Sequence, residues 1–172
     1  MKRLVIGLGN PGAEYEATRH NIGWQLLDAY AKRVGGLEWR DKPRFEATLA
    51  ETGGIGLAKP QTYMNESGRA AQHIASYFKL PSSALLVVSD DIDLPFGQVR
   101  FRKSGGSGGQ KGLADIITVL GTEDVPRLRV GIGEPPVGNT ATEYVLSGFS
   151  PAEREELPAV LDAAVDELEK HL

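Results

Sequence analysis

Hydrophobic positions along this chain change period several times, and each change marks an element. Leu4, Val5 and Ile6 form a short apolar run ending in a Gly/Pro turn, which reads as a strand. Ile22, Leu26, Leu27, Tyr30 and Val34 then recur at helical spacing until Gly35-Gly36 stops them. Phe45 to Glu51 and Ile55 to Lys59 read as two strands joined across Thr52-Gly53-Gly54, a hairpin signal, so the sheet is mixed. Pro60 closes the second strand, QTYMN forms a loop, and Ala70, Ala71, Ile74, Ala75 and Phe78 mark a second helix, in which His73 is given no role. After Pro81-Ser82-Ser83, the continuous run ALLVVS suits a strand buried on both faces, and it delivers SDDIDLPFG at its carboxyl end. QVRFR alternates outward-facing arginines with Val99 and Phe101. The glycine loop SGGSGG feeds a third helix over QKGLADIITVL, closed by Gly121, and LRVGIG is the last central strand before a Pro/Gly loop. Ser150, Pro151 and Glu153 form a capping box with proline at the first helical position, and Leu157, Val160, Leu161, Ala164, Val165 and Leu168 supply one apolar stripe. With no repeat or linker, the pattern predicts a single α/β domain over residues 1–172, a twisted mixed sheet flanked by helices.

Composition narrows the classes of function. At 172 residues, 41% hydrophobic and 24% charged, the chain is an ordinary globular domain. No apolar run approaches the roughly 18 residues of a membrane span, and the first strand is too short for a signal-peptide core, so the expected location is the cytoplasm, with no membrane partner. The absence of cysteine removes thiol nucleophiles, disulfides and thiolate metal sites. The net charge of −4 is unevenly spread: residues 151–172, the expected C-terminal acidic amphipathic helix, hold seven acids against two bases, so the rest of the chain carries +1. Within that rest, Arg100, Arg102, Lys103 and Lys111 lie in a stretch without acids, and Arg127 and Arg129 follow. A basic patch on an acidic protein is therefore expected.

The candidate chemistry centres on His20, one of three histidines and the one set among glycines and amides after the first strand. Histidine's ordinary pKa of about 6.5 leaves the ring mostly neutral at pH 7 and able to accept a proton. Asn21 or Thr18 reads as the N-cap of the following helix. Asp90, Asp91 or Asp93, at the end of the central apolar strand, offers a carboxylate to fix the tautomer of such a base, and this is preferred to a Mg²⁺ site. Asn10 and Asn65 are amides at turns adjoining a strand or helix, where the commonest use of asparagine is as a turn or cap residue. Gly7-Leu8-Gly9-Asn10-Pro11-Gly12 fits G-x-G-x-x-G, but the helix starts too late and a hairpin follows, against a dinucleotide cofactor. Gly105-Gly106-Ser107-Gly108-Gly109 fits G-x-S-x-G, yet only His171 lies downstream, so the segment reads as a backbone-donating phosphate cradle with Ser107 as loop.

Together, GLGNPGAEYEATRHNIG, KPQTYMNESG, SDDIDLPFGQVRFR, GGSGGQKGLADI and LRVGIG resemble the bacterial-type peptidyl-tRNA hydrolases, in order and over nearly the whole chain. The resemblance implies cofactor- and metal-independent hydrolysis of the ester joining a peptide to the terminal ribose of tRNA, by a monomer. It places His20 on the catalytic base, Asp90 on its carboxylate partner, and Asn10 and Asn65 on amides that position substrate and water. It places Tyr15, Tyr63 and Met64 near the acceptor end and the peptide, and Arg102 and Arg129 on the tRNA phosphate. Phosphate contacts of this kind give affinity without base readout. Two departures stand out. Gln110-Lys111 replaces the family's usual His-Asn, so Lys111 is expected to meet phosphate or the oxyanion, or to share the work with Gln110. The chain also stops sooner after its last helix than many relatives, which implies a reduced lid over the cleft. The alternative within the same family is a non-catalytic, splicing-factor-like RNA binder.

Overall fold

The computed structural model describes all 172 residues. In chain order the elements are β1 (Arg3–Gly7), α1 (Ile22–Arg33), β2 (Arg40–Lys42), β3 (Ala47–Thr52), β4 (Ile55–Pro60), α2 (Ser67–Phe78), β5 (Leu85–Asp91), β6 (Val99–Arg102), α3 (Lys111–Leu120), β7 (Arg127–Gly131), α4 (Ala141–Val145) and α5 (Pro151–Glu169). The seven strands form one sheet in the order β2-β3-β4-β1-β5-β7-β6. Strands β4, β1, β5 and β7 run parallel, while β3 opposes both β2 and β4, and β6 opposes β7. The α/β domain with a mixed sheet read from the sequence is therefore the fold.

Alternation along the central strands divides the core in two. Leu4, Ile6, Leu85 and Val87 point to one face and meet Ala70, Ala71 and Ile74 of α2 and Leu113 and Ile116 of α3. Val5, Leu86 and Val88 point to the other and meet Ile22, Leu26 and Leu27 of α1 and Ala164, Val165 and Leu168 of α5. Both faces of β1 and β5 are thus covered, which is why these strands read as continuous apolar runs rather than alternating ones. Helix α1 sits unusually close to the sheet: a Cβ on Gly23 would stand 2.6 Å from Leu8 N and from Val88 O. Gly9 likewise packs on the Trp24 ring, at 2.8 Å for a would-be Cβ. Gly9 and Gly23 therefore serve helix-to-strand packing, and α1 starts at Ile22 rather than at the glycine turn, unlike the strand–turn–helix of the dinucleotide fingerprint.

Three local expectations need correction. Phe45 lies in a 3-10 turn, Pro43–Phe45, and the strand begins at Ala47 after Glu46 takes a left-handed conformation. Strand β2, Arg-Asp-Lys, was not anticipated, because an edge strand of three polar residues carries no apolar alternation. The Pro/Gly loop after β7 contains α4, started by a capping box of Thr140 and Glu143 that was legible in the sequence.

Candidate active site

The parallel strands end along one edge, and β1 lies between β4 and β5, the kind of position where open α/β sheets hold ligands. There a cavity of about 350 Å³ is lined by residues of the strands and of the segments that follow them, among them Asn10, His20, Met64, Asp90, Gln110 and Arg129.

His20 sits in a 3-10 turn, Arg19–Asn21, whose three residues are all buried. The turn is pinned from outside. Arg19 N donates to Ser147 O at 3.0 Å, and its guanidinium donates to Gly148 O and to Glu153, each at 2.7 Å. The same guanidinium lies 4.1 Å from the centroid of the Tyr144 ring. Burial alone would raise the Glu153 carboxyl, but hydrogen bonds from Ser150 together with the charge and hydrogen bond of Arg19 outweigh it and hold the group below its ordinary value.

Neither Thr18 nor Asn21 caps the following helix by its side chain. Thr18 Oγ1 donates to Tyr15 O at 2.7 Å. Asn21 instead grips the backbone of Asn10 at both ends: its Oδ1 accepts from Asn10 N and its Nδ2 donates to Asn10 O, each at 2.9 Å. Asn21 does occupy the N-cap position of α1, but a partner eleven residues away takes its amide in place of the helix N–H groups. Asn10 Oδ1 in turn accepts from Met64 N at 2.7 Å. Since a backbone N–H can only donate, this bond fixes the amide's orientation and leaves Asn10 Nδ2 as a donor available at the cavity.

Of the three aspartates at the end of β5, Asp90 meets the histidine: its Oδ2 lies 2.8 Å from His20 Nδ1. The side chains are 10% and 2% exposed respectively. A carboxylate only accepts, so the ring donates from Nδ1, and the tautomer this selects in a neutral imidazole has its lone pair on Nε2. Asp91 pairs with Arg129 at 3.0 Å, and Asp93 is exposed at the following turn, so the three do not converge.

Eight of the ten residues singled out in the sequence line this one cavity: His20, Asp90, Asn10, Asn65, Tyr63, Met64, Lys111 and Arg129. Tyr15 and Arg102 lie outside its lining. The expected basic patch loses one member: Arg127 is 1% exposed and donates to Val125 O and Gly106 O, which holds the glycine loop to β7. Burial, reinforced by the charges of Arg102 and Arg129, pulls its guanidinium below the ordinary value, so three arginines crowd this end of β6 and β7. The sequence reading missed the cavity wall formed by Ala141, Thr142, Val145 and Leu146 of α4 and its flank. Ser107 also lines the cavity, but its Oγ only accepts from Gly109 N at 3.3 Å, and no base reaches it. Ser107→Ala is accordingly expected to change turnover less than about twofold; a dead variant in a steady-state assay would restore the nucleophile reading.

The sequence profile of the peptidyl-tRNA hydrolase family matches residues 4–172. The chain belongs to the peptidyl-tRNA hydrolase family. Among curated relatives, a peptidyl-tRNA hydrolase of Gloeobacter violaceus is 47% identical over 97% of this chain and 86% of the relative. One of Carboxydothermus hydrogenoformans is 48% identical over 95% of this chain and 88% of the relative. The crystal structure of peptidyl-tRNA hydrolase from Acinetobacter baumannii superposes with a TM-score of 0.85 at 32% identity, covering 96% of this chain and 83% of that one. Membership of this hydrolase family is what the resemblance had implied.

Proposed function

We propose that this protein hydrolyses peptidyl-tRNA with His20 as general base and Asp90 as its partner. The observation that carries the reading is the 2.8 Å contact between His20 Nδ1 and Asp90 Oδ2 at the wall of a cavity that also holds Asn10 and Asn65. His20 Nε2 takes a proton from water, and the resulting hydroxide adds to the acyl carbon of the ester. Asp90 stabilises the imidazolium while the charge lasts. Collapse of the tetrahedral intermediate breaks the bond to the ribose oxygen, which recovers the proton from His20. Asn10 Nδ2 and the Asn65 amide are placed to hold the ester carbonyl or the water, and a well-aimed donor to the oxyanion contributes about 10²–10³ in rate.

Tyr63 and Met64 border the place for the acceptor end and the peptide, while Tyr15, outside the cavity lining, would meet the acceptor end beyond it. Arg102, Lys111 and Arg129 meet phosphate. We read the protein as a monomer that acts in the cytoplasm. The test is to incubate the protein with N-blocked aminoacyl-tRNA and follow release of free tRNA. Tight tRNA binding without ester loss would favour the RNA-binding alternative instead. Lys111 is exposed at the cavity mouth, so Lys111→Ala is expected to raise KM several-fold and to flatten the salt dependence of binding by about one phosphate contact.

A further inference from the structure

Gln110 is where the start of α3 meets the buried aspartate. It is the N-cap of that helix, and its Oε1 accepts from Leu113 N at 2.7 Å. That backbone donor decides which end of the carboxamide is oxygen. The other end, Nε2, therefore donates, and it lies 3.0 Å from Asp90 Oδ1 and 3.3 Å from the Met64 sulfur. Oδ2 of the same carboxylate is occupied by His20 Nδ1–H at 2.8 Å. Each oxygen of a carboxylate only 2% exposed thus has one side-chain donor, and for Oδ1 that donor is Gln110.

We infer that Gln110 is a positioning residue for the hydrolysis, pinning the plane of the Asp90 carboxylate so that Oδ2 stays on the His20 ring. The inference rests on His20 being the general base. The terminal torsion of aspartate is broad and roughly two-fold, so one hydrogen bond to Oδ2 leaves the carboxylate free to rock, and the imidazole rocks with it. A second donor on Oδ1, itself locked at a helix terminus, removes that freedom. A neutral amide suits the task. It satisfies the buried oxygen without adding a positive charge that would cancel the attraction between Asp90 and the imidazolium formed in turnover.

Steady-state kinetics on N-blocked aminoacyl-tRNA would compare the wild-type chain, His20→Ala, Gln110→Met and Gln110→Glu. Gln110→Met keeps the volume and loses the donor; kcat is expected to fall about tenfold or more with KM within about twofold. Gln110→Glu keeps an acceptor for Leu113 N but sets a second carboxyl against Asp90. The two share a proton at the acid end of the profile and lose it as the pH rises. The ratio of variant to wild-type kcat should therefore decline steadily with pH. The other ionisable groups of this cavity, Tyr63, Asp91, Lys111 and Arg129, are common to both proteins and cancel in the ratio. An unchanged kcat in Gln110→Met, an effect confined to KM, or a ratio flat with pH overturns the inference. Should Gln110→Met fail to fold, the pH ratio of Gln110→Glu decides alone. A wild-type chain without turnover, or His20→Ala with normal turnover, removes the reading of the base and this inference with it.

Discussion

His20→Ala is expected to slow ester hydrolysis by about 10²–10⁴-fold while leaving affinity for deacylated tRNA within about twofold. The reasoning is a division of labour within the site. The cations proposed to meet phosphate, Arg129 and Lys111, line the cavity but hold no hydrogen bond to the imidazole, so removal of the ring leaves them in place. The amides of Asn10 and Asn65 also remain, and with them the part of the rate that comes from holding the oxyanion, so the variant should keep activity above the uncatalysed rate. Asp90 Oδ2, buried and deprived of its donor, is expected to cost about 1–3 kcal/mol of stability, which denaturant unfolding would register separately from the rate. Single-turnover hydrolysis together with filter binding separates the two quantities. Weakened tRNA binding with unchanged single-turnover chemistry would remove His20 from the role of base.

Arg19→Met is expected to be the most damaging substitution to stability, at about 2–4 kcal/mol by denaturant unfolding at neutral pH. The guanidinium is 8% exposed and its partner Glu153 18%, so the loss falls somewhat short of that for a fully buried pair. Removal strands the Gly148 carbonyl and a carboxylate, and strips the cation from the Tyr144 ring. The deficit should depend on pH in a definite direction. Glu153 titrates below its ordinary value in the folded chain, so its ion pair contributes fully above the unfolded carboxylate value of about 4.3 and is lost as the pH falls through the depressed folded value. The gap between wild type and variant should therefore be full at neutral pH and shrink in acid. A gap that widens in acid would show that Glu153 is not the partner that matters.

Much of the architecture was legible because its signals are local. ALLVVS suits a strand covered on both sides, and Ser150-Pro151 with Glu153 announced α5 at its first residue. What escaped was set by partners far away in the chain. Asn21 has the chemistry of a helix cap, yet spends its amide on the backbone of Asn10. Arg127 reads as one more surface cation, and only the fold shows it buried with its donors turned onto backbone carbonyls. Gln110 stood out only as a departure from a family pattern; that its two ends face a helix terminus and a carboxylate depends on how β5 and α3 are brought together. The histidine could be chosen because the chain has few, whereas the choice among Asp90, Asp91 and Asp93 turned on side-chain direction at the end of β5.

The tie from Arg19 to Ser147 and Gly148 spans 128 and 129 positions. Such a link closes late, since its loop entropy must be met before the contact rewards it. During synthesis His20 can meet Asp90 once residue 90 has followed, but Arg19 beside it finds its partners only when almost the entire polypeptide has left the ribosome. A nascent chain halted before residue 147 would carry His20 with Arg19 unmoored, and proteolytic removal of the last helix from the finished enzyme should abolish turnover in step with the cut.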